Sequence, residues 1–145
     1  MTTEIPEMGR AQMEGQSRAV SPAHVRQVFA EYARLFSASD VAGLGALFAA
    51  DAQVRDPVTA PPVQGRDSIC RWFQSAFDAI PSGMAMTLEG DVRVAGQHAA
   101  AALVVHAYNG GSAFRVDTLD VMRFDDDGLI ASMDAYFGES NYHAE

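Results

Sequence analysis

The stretch FRVDTLDVMRF, residues 114–124, alternates apolar and polar side chains with the period of two that is typical of a β-strand. One face is expected to carry Phe114, Val116, Thr118, Asp120, Met122 and Phe124, and the other Arg115, Asp117, Leu119, Val121 and Arg123. Asp120 therefore falls on the apolar face. Because a carboxylate is costly to bury there without a cation, we expect Asp120 to be protonated and to act as a neutral donor. The alternative is a local bulge that turns Asp120 out to solvent.

Segments of similar β-rich character surround this strand. We predict strands over residues 84–94, 99–108, 114–124 and 129–137. The last three are separated by the turn sequences Asn109-Gly110-Gly111 and Asp126-Asp127-Gly128. Turns of this composition favour hairpins, so the sequence predicts an antiparallel sheet.

The first predicted helix begins at Ser21-Pro22, a capping hydroxyl followed by a proline at the first helical position, and runs to about residue 36. Its apolar residues recur at intervals of three and four and form one stripe: Val25, Val28, Phe29, Tyr32, Leu35 and Phe36. Tyr32 is therefore expected to point into the protein.

Two further helices are predicted before the sheet. A cap at Ser39 or Asp40 predicts a second, shorter helix through Phe48, and a third is expected to begin at Asp67 and to stop before Pro81. Helices followed by strands indicate an α+β fold, with three N-terminal helices packed on one face of a curved, mostly antiparallel sheet. Such a molecule is a cone with a pocket.

The composition fits a single packed domain, because the chain has 145 residues, of which 48% are hydrophobic and 20% charged. We expect residues 21–145 to form that domain. Residues 1–20 lack the apolar run of a signal peptide, and we expect them to be a mobile polar tail of a cytoplasmic protein. A net charge of -9 disfavours nucleic acid and anionic membranes as partners.

Residue types that are rare or absent exclude other chemistry. All ten basic residues are Arg, which excludes mechanisms that need a Lys Schiff base or a P-loop lysine. The single cysteine, Cys70, cannot form an intramolecular disulfide or a Cys-based zinc site, and the four histidines are widely scattered. We expect neither a metal nor a cofactor.

Two more polar residues are candidates for a site. Asp56 ends a short predicted strand and precedes Pro57, which biases its backbone to an extended conformation, although an Asp-Pro pair is also common in surface turns. Tyr32 lies on the buried stripe, where it could equally be a core tyrosine that bonds a backbone carbonyl. Neither residue is specific by itself.

A wider pattern connects these residues. It comprises Glu31-Tyr32, the segment LFAADAQVRDP at residues 47–57, the segment LDVMRF at residues 119–124 with Gly128, and the segment AYFGESN at residues 135–141. In these segments and in their spacing the sequence resembles the steroid Δ-isomerases, the ketosteroid isomerase family of the NTF2-like fold, over about residues 25–143.

The resemblance implies a steroid ketone as substrate and a role for each candidate. Asp56 is implied to be the general base, while Tyr32 and protonated Asp120 are implied to donate hydrogen bonds to the developing oxyanion. The apolar residues implied to line the steroid site are Phe36, Val116, Thr118, Met122, Met133, Ala135 and Phe137, the last of them beside the base.

The sequence departs from the family at the positions around the catalytic tyrosine. Family members commonly support the catalytic tyrosine with further tyrosines, whereas the corresponding positions here are Phe48 and Phe73, which cannot donate. An outer sheet face with Leu119, Val121 and Ile130 suggests a homodimer, as the resemblance also implies.

Two other functions remain open on the sequence. Polyketide cyclases share the fold and also act on an enolisable ketone with an acidic residue. A non-catalytic carrier of hydrophobic ligands, or a protein adaptor, is the second alternative, although neither needs a protonated carboxyl on an apolar wall.

Overall fold

The computed structural model describes residues 3–145. Within that range the helices are α1 (Glu7–Met13), α2 (Pro22–Ser37), α3 (Val41–Ala46) and α4 (Arg66–Ala79), and a 3-10 turn covers Glu139–Asn141. The strands are β1 (Phe48–Arg55), β2 (Val63–Gln64), β3 (Met84–Ala95), β4 (His98–Asn109), β5 (Ser112–Phe124), β6 (Ile130–Tyr136) and β7 (Tyr142–Ala144). The four predicted strands are confirmed to within two residues at each end, and the α+β arrangement is confirmed.

All seven strands belong to one mixed, mostly antiparallel sheet with the order β2-β1-β6-β5-β4-β3. The pair β1 and β6 is parallel, and the other pairs are antiparallel. β6 pairs with the second half of β5, and β7 pairs with the first half along the same edge. Strand β5 therefore has neighbours on both sides along most of its length.

Helix α2 packs its predicted stripe on the sheet. Ser21 caps the helix as expected, because its Oγ accepts a hydrogen bond from the backbone N–H of His24 at 3.1 Å. Every residue of the stripe is buried, and α2 lies mainly against β3. Tyr32 points inward, as the spacing predicts.

The other helices differ in part from the expectation. Of the two candidate caps, Ser39 and Asp40, it is Asp40 that caps helix α3. The helix ends at Ala46 instead of continuing through Phe48. Phe48 instead begins β1, where it is fully buried and pairs with Ile130 of β6. Burial in the core lowers the free energy of this large apolar side chain more than extension of a helix that contains Gly43 and Gly45 would. The prediction of three helices also omits α1, a short exposed helix inside residues 1–20.

The outer sheet face differs from the prediction at one residue. Leu119 is 43% exposed, but Ile130 is fully buried and does not lie on that face. The register of β5 with β6 shifts between Arg123 and Phe124, and this shift pairs Ile130 with the inward-facing Phe124. Among the described residues, no helix is both long enough and apolar enough to cross a membrane.

Candidate active site

A cavity of about 270 Å³ lies between helices α2 and α4 and the concave face of the sheet. Its size is near the lower end of small-molecule sites, which span roughly 300 to 1,000 Å³. It is lined by Tyr32, Phe36, Asp56, Trp72, Ala76, Ile80, Met84, Met86, Val105, Phe114, Val116, Thr118, Asp120, Phe137 and Tyr142. Two carboxyl groups and the phenols of Tyr32 and Tyr142 thus share a pocket whose other surfaces are mostly apolar.

Asp120 reaches the cavity from the interior of β5. The register of β5 with β4 is continuous from Ser112 to Arg123, so the alternation is unbroken and the alternative of a bulge at Asp120 is wrong. Among the described residues Asp120 is the only buried charged or polar side chain, with 2% of its surface exposed. Its strand neighbours, Ala101 and Ala135, have no side-chain polar group with which to pair it.

Burial is the largest cause of the protonation behaviour of Asp120. Burial and the charge of the nearby Asp56 raise the pKa of this carboxyl and a hydrogen bond from Thr118 lowers it, and the net result is a pKa of about 7. The Thr118 Oγ1 donates to Asp120 Oδ1 at 3.0 Å. A large fraction of Asp120 is therefore protonated at neutral pH, as the apolar face predicts.

Asp56 follows the last residue of β1 and lines the same cavity. Asp56 stands in a bend that leads into a turn, as one alternative had it, but its side chain is half-buried and lines the cavity instead of lying on the open surface. Burial raises the pKa of Asp56 to about 6. The preceding Arg55 does not neutralise it, since its guanidinium forms two hydrogen bonds with Asp134, at 2.8 and 2.7 Å. Asp56 is thus a carboxyl that ionises just below neutral pH.

Tyr32 is 1% exposed and packs between aromatic rings, with centroids 6.3 Å from Phe36 and 6.2 Å from Phe73. Burial raises the pKa of Tyr32 well above its ordinary value, and the charges of Asp120 and Asp56 raise it further. The phenol therefore keeps its proton. Among the described residues, every side-chain oxygen or nitrogen that is fully enclosed has a hydrogen-bond partner. The Tyr32 hydroxyl has no such partner among the described protein groups, so it is not fully enclosed and is accessible from the cavity.

The aromatic residues behind Tyr32 add no donor. Phe73 contacts Tyr32, and the Phe48 ring lies 6.1 Å from the Phe73 ring. Both are fully buried. Phe73 therefore packs on Tyr32 and Phe48 packs on Phe73, at the positions where the resemblance implied supporting tyrosines, and neither ring can donate a hydrogen bond.

Comparison with known proteins identifies the family of this chain. Residues 29–133, a range that contains Tyr32, Asp56 and Asp120, match the SnoaL-like domain. The chain belongs to the SnoaL-like family. The Steroid Delta-isomerase of Nocardioides simplex is 34% identical over 115 residues, which make up 79% of this chain and 90% of that enzyme.

A solved structure supports the same fold. The epoxide hydrolase/cyclase-like enzyme SalBIII, described in pyran ring formation in the polyether salinomycin, superposes with a TM-score of 0.76 at 23% sequence identity. The match covers 86% of this chain and 98% of that one. The SnoaL-like chain therefore has the NTF2-like cone fold that its sequence predicts, and its relatives support an enzyme of this fold family.

The apolar residues predicted to line the site fall into two groups. Phe36, Val116, Thr118 and Phe137 line the cavity. The structure places Met122, Met133 and Ala135 in the packed core instead. On β5 the cavity extends only from Phe114 to Asp120, and beyond it Met122 and its cross-strand neighbour Met133 are both fully buried.

The cavity of this SnoaL-like domain also contains residues that the sequence reading did not assign to it. They are Trp72, Ala76, Ile80, Met84, Met86, Val105, Phe114 and Tyr142. The helical spacing of Trp72 and Ile80 and the face of Phe114 already indicated an inward orientation. Tyr142 had no such signal, because it lies on the three-residue strand β7, where it stacks on Phe114 and contacts Phe137.

Possible metal ligands are dispersed in the described part of the chain. No group of three or more His, Cys, Asp or Glu side chains among residues 3–145 is arranged to hold a metal ion. Asp56 and Asp120 are the carboxyls of the cavity, and no histidine or cysteine lines it. The carboxyls of Asp56 and Asp120 can transfer protons, and together with the Tyr32 phenol they can hydrogen-bond to a ligand in the cavity.

Proposed function

We propose that this SnoaL-like domain isomerises Δ5-3-ketosteroids to the conjugated Δ4-3-ketosteroids through a dienolate. The observation that carries the proposal is the pair of carboxyls with raised pKa that opens, together with one un-ionised tyrosine, into a single apolar cavity. The similarity to the Steroid Delta-isomerase of Nocardioides simplex supports the choice of substrate class.

Asp56 acts as the base. Its carboxylate takes the proton from C4 of the steroid, and the electron pair of that C–H bond forms a C3=C4 double bond while the C3 oxygen becomes negative. A base whose pKa is about 6 is ionised at neutral pH and still basic enough to assist this step. The electron pair of the C5=C6 bond then takes the proton back from Asp56 at C6. The C3=C4 pair shifts to form C4=C5, and an oxygen lone pair restores the C3 ketone, without any net gain or loss of atoms.

Tyr32 and protonated Asp120 stabilise the dienolate oxygen. Both are neutral donors in the dry part of the cavity, and donors fixed in advance need no reorganisation when charge appears on the substrate. Because Phe48 and Phe73 add no donor, we assign the stabilisation of the oxyanion to these two groups. Phe36, Val116 and Phe137 contact the flat apolar skeleton.

The first experiment is an absorbance assay. On addition of a Δ5-3-ketosteroid, we expect the ultraviolet band of the conjugated enone to grow with the wild-type protein and not with Asp56→Asn. Asp51→Asn is the matched control, because Asp51 is an exposed aspartate of β1 outside the cavity, and it should behave as wild type. A wild-type protein that binds a phenolic steroid but produces no enone would refute the isomerase and favour a carrier or a cyclase-type enzyme.

We also propose a homodimer. Leu119 and Tyr136 are paired neighbours on the outer face of the sheet, and they are 43% and 47% exposed. Apolar neighbours of this kind are typical of a surface that is covered in solution. Light scattering at micromolar concentration should give twice the chain mass, and a monomer would refute the proposal.

A further inference from the structure

Thr118 is the one residue that hydrogen-bonds to the side chain of Asp120 within the described part of the chain. The two residues are separated by one position on β5 and therefore share the face that lines the cavity. The Thr118 Oγ1 lies 3.0 Å from Asp120 Oδ1, and it is the hydroxyl that donates. This contact is independent of any ligand.

A hydrogen bond from Thr118 distinguishes the two oxygens of the Asp120 carboxyl. A protonated carboxyl carries its proton on one oxygen only. The oxygen that already accepts a hydrogen bond is favoured as the carbonyl oxygen, and the other oxygen then carries the proton. Since Oδ1 accepts from Thr118, the acid proton is directed to Oδ2. A proton fixed on Oδ2 can then be donated to a ligand in the cavity.

We infer that Thr118 is a positioning residue, which holds the Asp120 carboxyl in one orientation and assigns its proton to Oδ2. This inference rests on the proposed function, because it specifies how one of the two oxyanion donors is held. Thr118 is not a catalytic residue in this account, since it acts through Asp120.

The surroundings of Asp120 leave this role to Thr118. The ionisable groups that face Asp120 are Tyr32 from α2, which is un-ionised, and Asp56 from the end of β1, whose charge raises the pKa of Asp120. The residues paired with it on β4 and β6 are alanines. No other described side chain is therefore placed to orient the carboxyl.

The same hydroxyl has an effect on titration that can be measured. A donor to a carboxylate stabilises the ionised form, so the Thr118 hydrogen bond lowers the pKa of Asp120 relative to what burial alone would give. Removing the hydroxyl should raise that pKa, and a hydrogen bond to a charged group is strong enough to change it by about one pH unit.

The test compares variants that keep or remove the hydroxyl. Thr118→Val keeps the shape and removes the donor, Thr118→Ala is a second donorless variant in case valine disturbs the strand, and Thr118→Ser restores the donor. Thr87→Val is the matched control, because Thr87 is an exposed threonine of β3, which is separated from β5 by β4.

Two readouts separate the possible results. In kinetics, kcat of Thr118→Val at pH 6 should fall roughly threefold to tenfold, the alkaline limb should move up by about one pH unit, and Thr118→Ser should restore both. An unmoved alkaline limb, or a serine variant that behaves like valine, would overturn the inference.

The second readout does not depend on activity. The ¹³C signal of the Asp120 carboxyl, titrated in the substrate-free protein, should show the same upward shift in Thr118→Val and no shift in Thr87→Val. If wild-type protein isomerises no ketosteroid but this titration shifts, the proposed function fails while the link between Thr118 and Asp120 stands. If the enzyme is active and the titration does not shift, the inference about Thr118 fails alone.

Discussion

Asp56 and Asp120 line one cavity, but the fold holds them in different ways. Asp120 lies in the interior of β5, is almost fully buried and accepts a hydrogen bond from Thr118. Asp56 lies just beyond β1, is half-buried, and burial is the one cause that shifts its pKa. The pKa is raised to about 6 at the strand end and to about 7 in the strand interior. Depth along a strand can thus give two chemically identical side chains different protonation states.

The largest effect is expected at the more exposed carboxyl. Asp56→Asn removes the base, and an amide has no lone pair basic enough to take a proton from carbon, so kcat should fall by roughly a thousandfold or more. Binding of a phenolic steroid, which mimics the planar dienolate, should survive because Tyr32 and Asp120 are unchanged. Steady-state kinetics and a binding titration measure the two effects. Weaker ligand binding with an unchanged kcat would reverse the roles assigned to the two aspartates.

Tyr32→Phe tests the donor side of the comparison. The variant removes one of the two donors to the oxyanion, and neither Phe48 nor Phe73 can replace it, so kcat should fall by roughly a hundredfold. Asp120→Ala should cost a similar amount. The same assay measures both. A Tyr32→Phe enzyme with full activity would leave Asp120 as the sole donor and would contradict the paired arrangement.

The pH profile separates the two carboxyls in one experiment. Asp56 must be ionised and Asp120 protonated, so kcat/KM should be highest between about pH 6 and pH 7. It should fall by about tenfold per pH unit below that window as Asp56 takes up a proton, and above it as Asp120 loses one. Asp120→Asn cannot ionise and should lose the alkaline limb alone. A profile of that variant with both limbs intact would assign the alkaline limb to another group.

The last expected effect is on stability. Burial raises the pKa of both carboxyls above the value they have in the unfolded chain. The free energy of unfolding therefore decreases as pH rises through the pKa of the folded state, and below pH 4 this loss of stability is absent. Asp120→Asn should therefore be more stable than wild type at pH 8, by up to about 4 kcal/mol, and equal to it at pH 4. Thermal unfolding at the two pH values measures this. An exposed control, Asp51→Asn, should show no such difference.

The sheet was predictable from local patterns. The alternation of residues 114–124 and the glycine-containing turns on either side determine β5 and its hairpins, and the structure confirms them. The inward position of Asp120 follows from the same alternation. The capping signals of α2 and its apolar stripe likewise determine where Tyr32 lies.

The extent of the cavity was not predictable, because it depends on which inward side chains meet a partner. Met122 and Asp120 share one face of β5, yet Met122 is fully buried in the packed core while Asp120 lines the cavity. Alternation gives the face of a residue and not the packing opposite it. The short helix α1 and the early end of α3 were also missed, since helices of six or seven residues have weak signals.

The most direct test of the opposite protonation states is the ratio of kcat for Asp120→Asn to kcat for Asp56→Asn, measured in one assay at pH 6.5 with both variants folded. Asparagine imitates a protonated aspartate and cannot imitate an ionised one. Asp120→Asn should therefore keep a neutral donor and lose only part of the activity, whereas Asp56→Asn should lose nearly all of it. We expect a ratio of about ten or more. A ratio near one would mean that Asp120 works as a charged group, and it would contradict the mechanism proposed for this cavity.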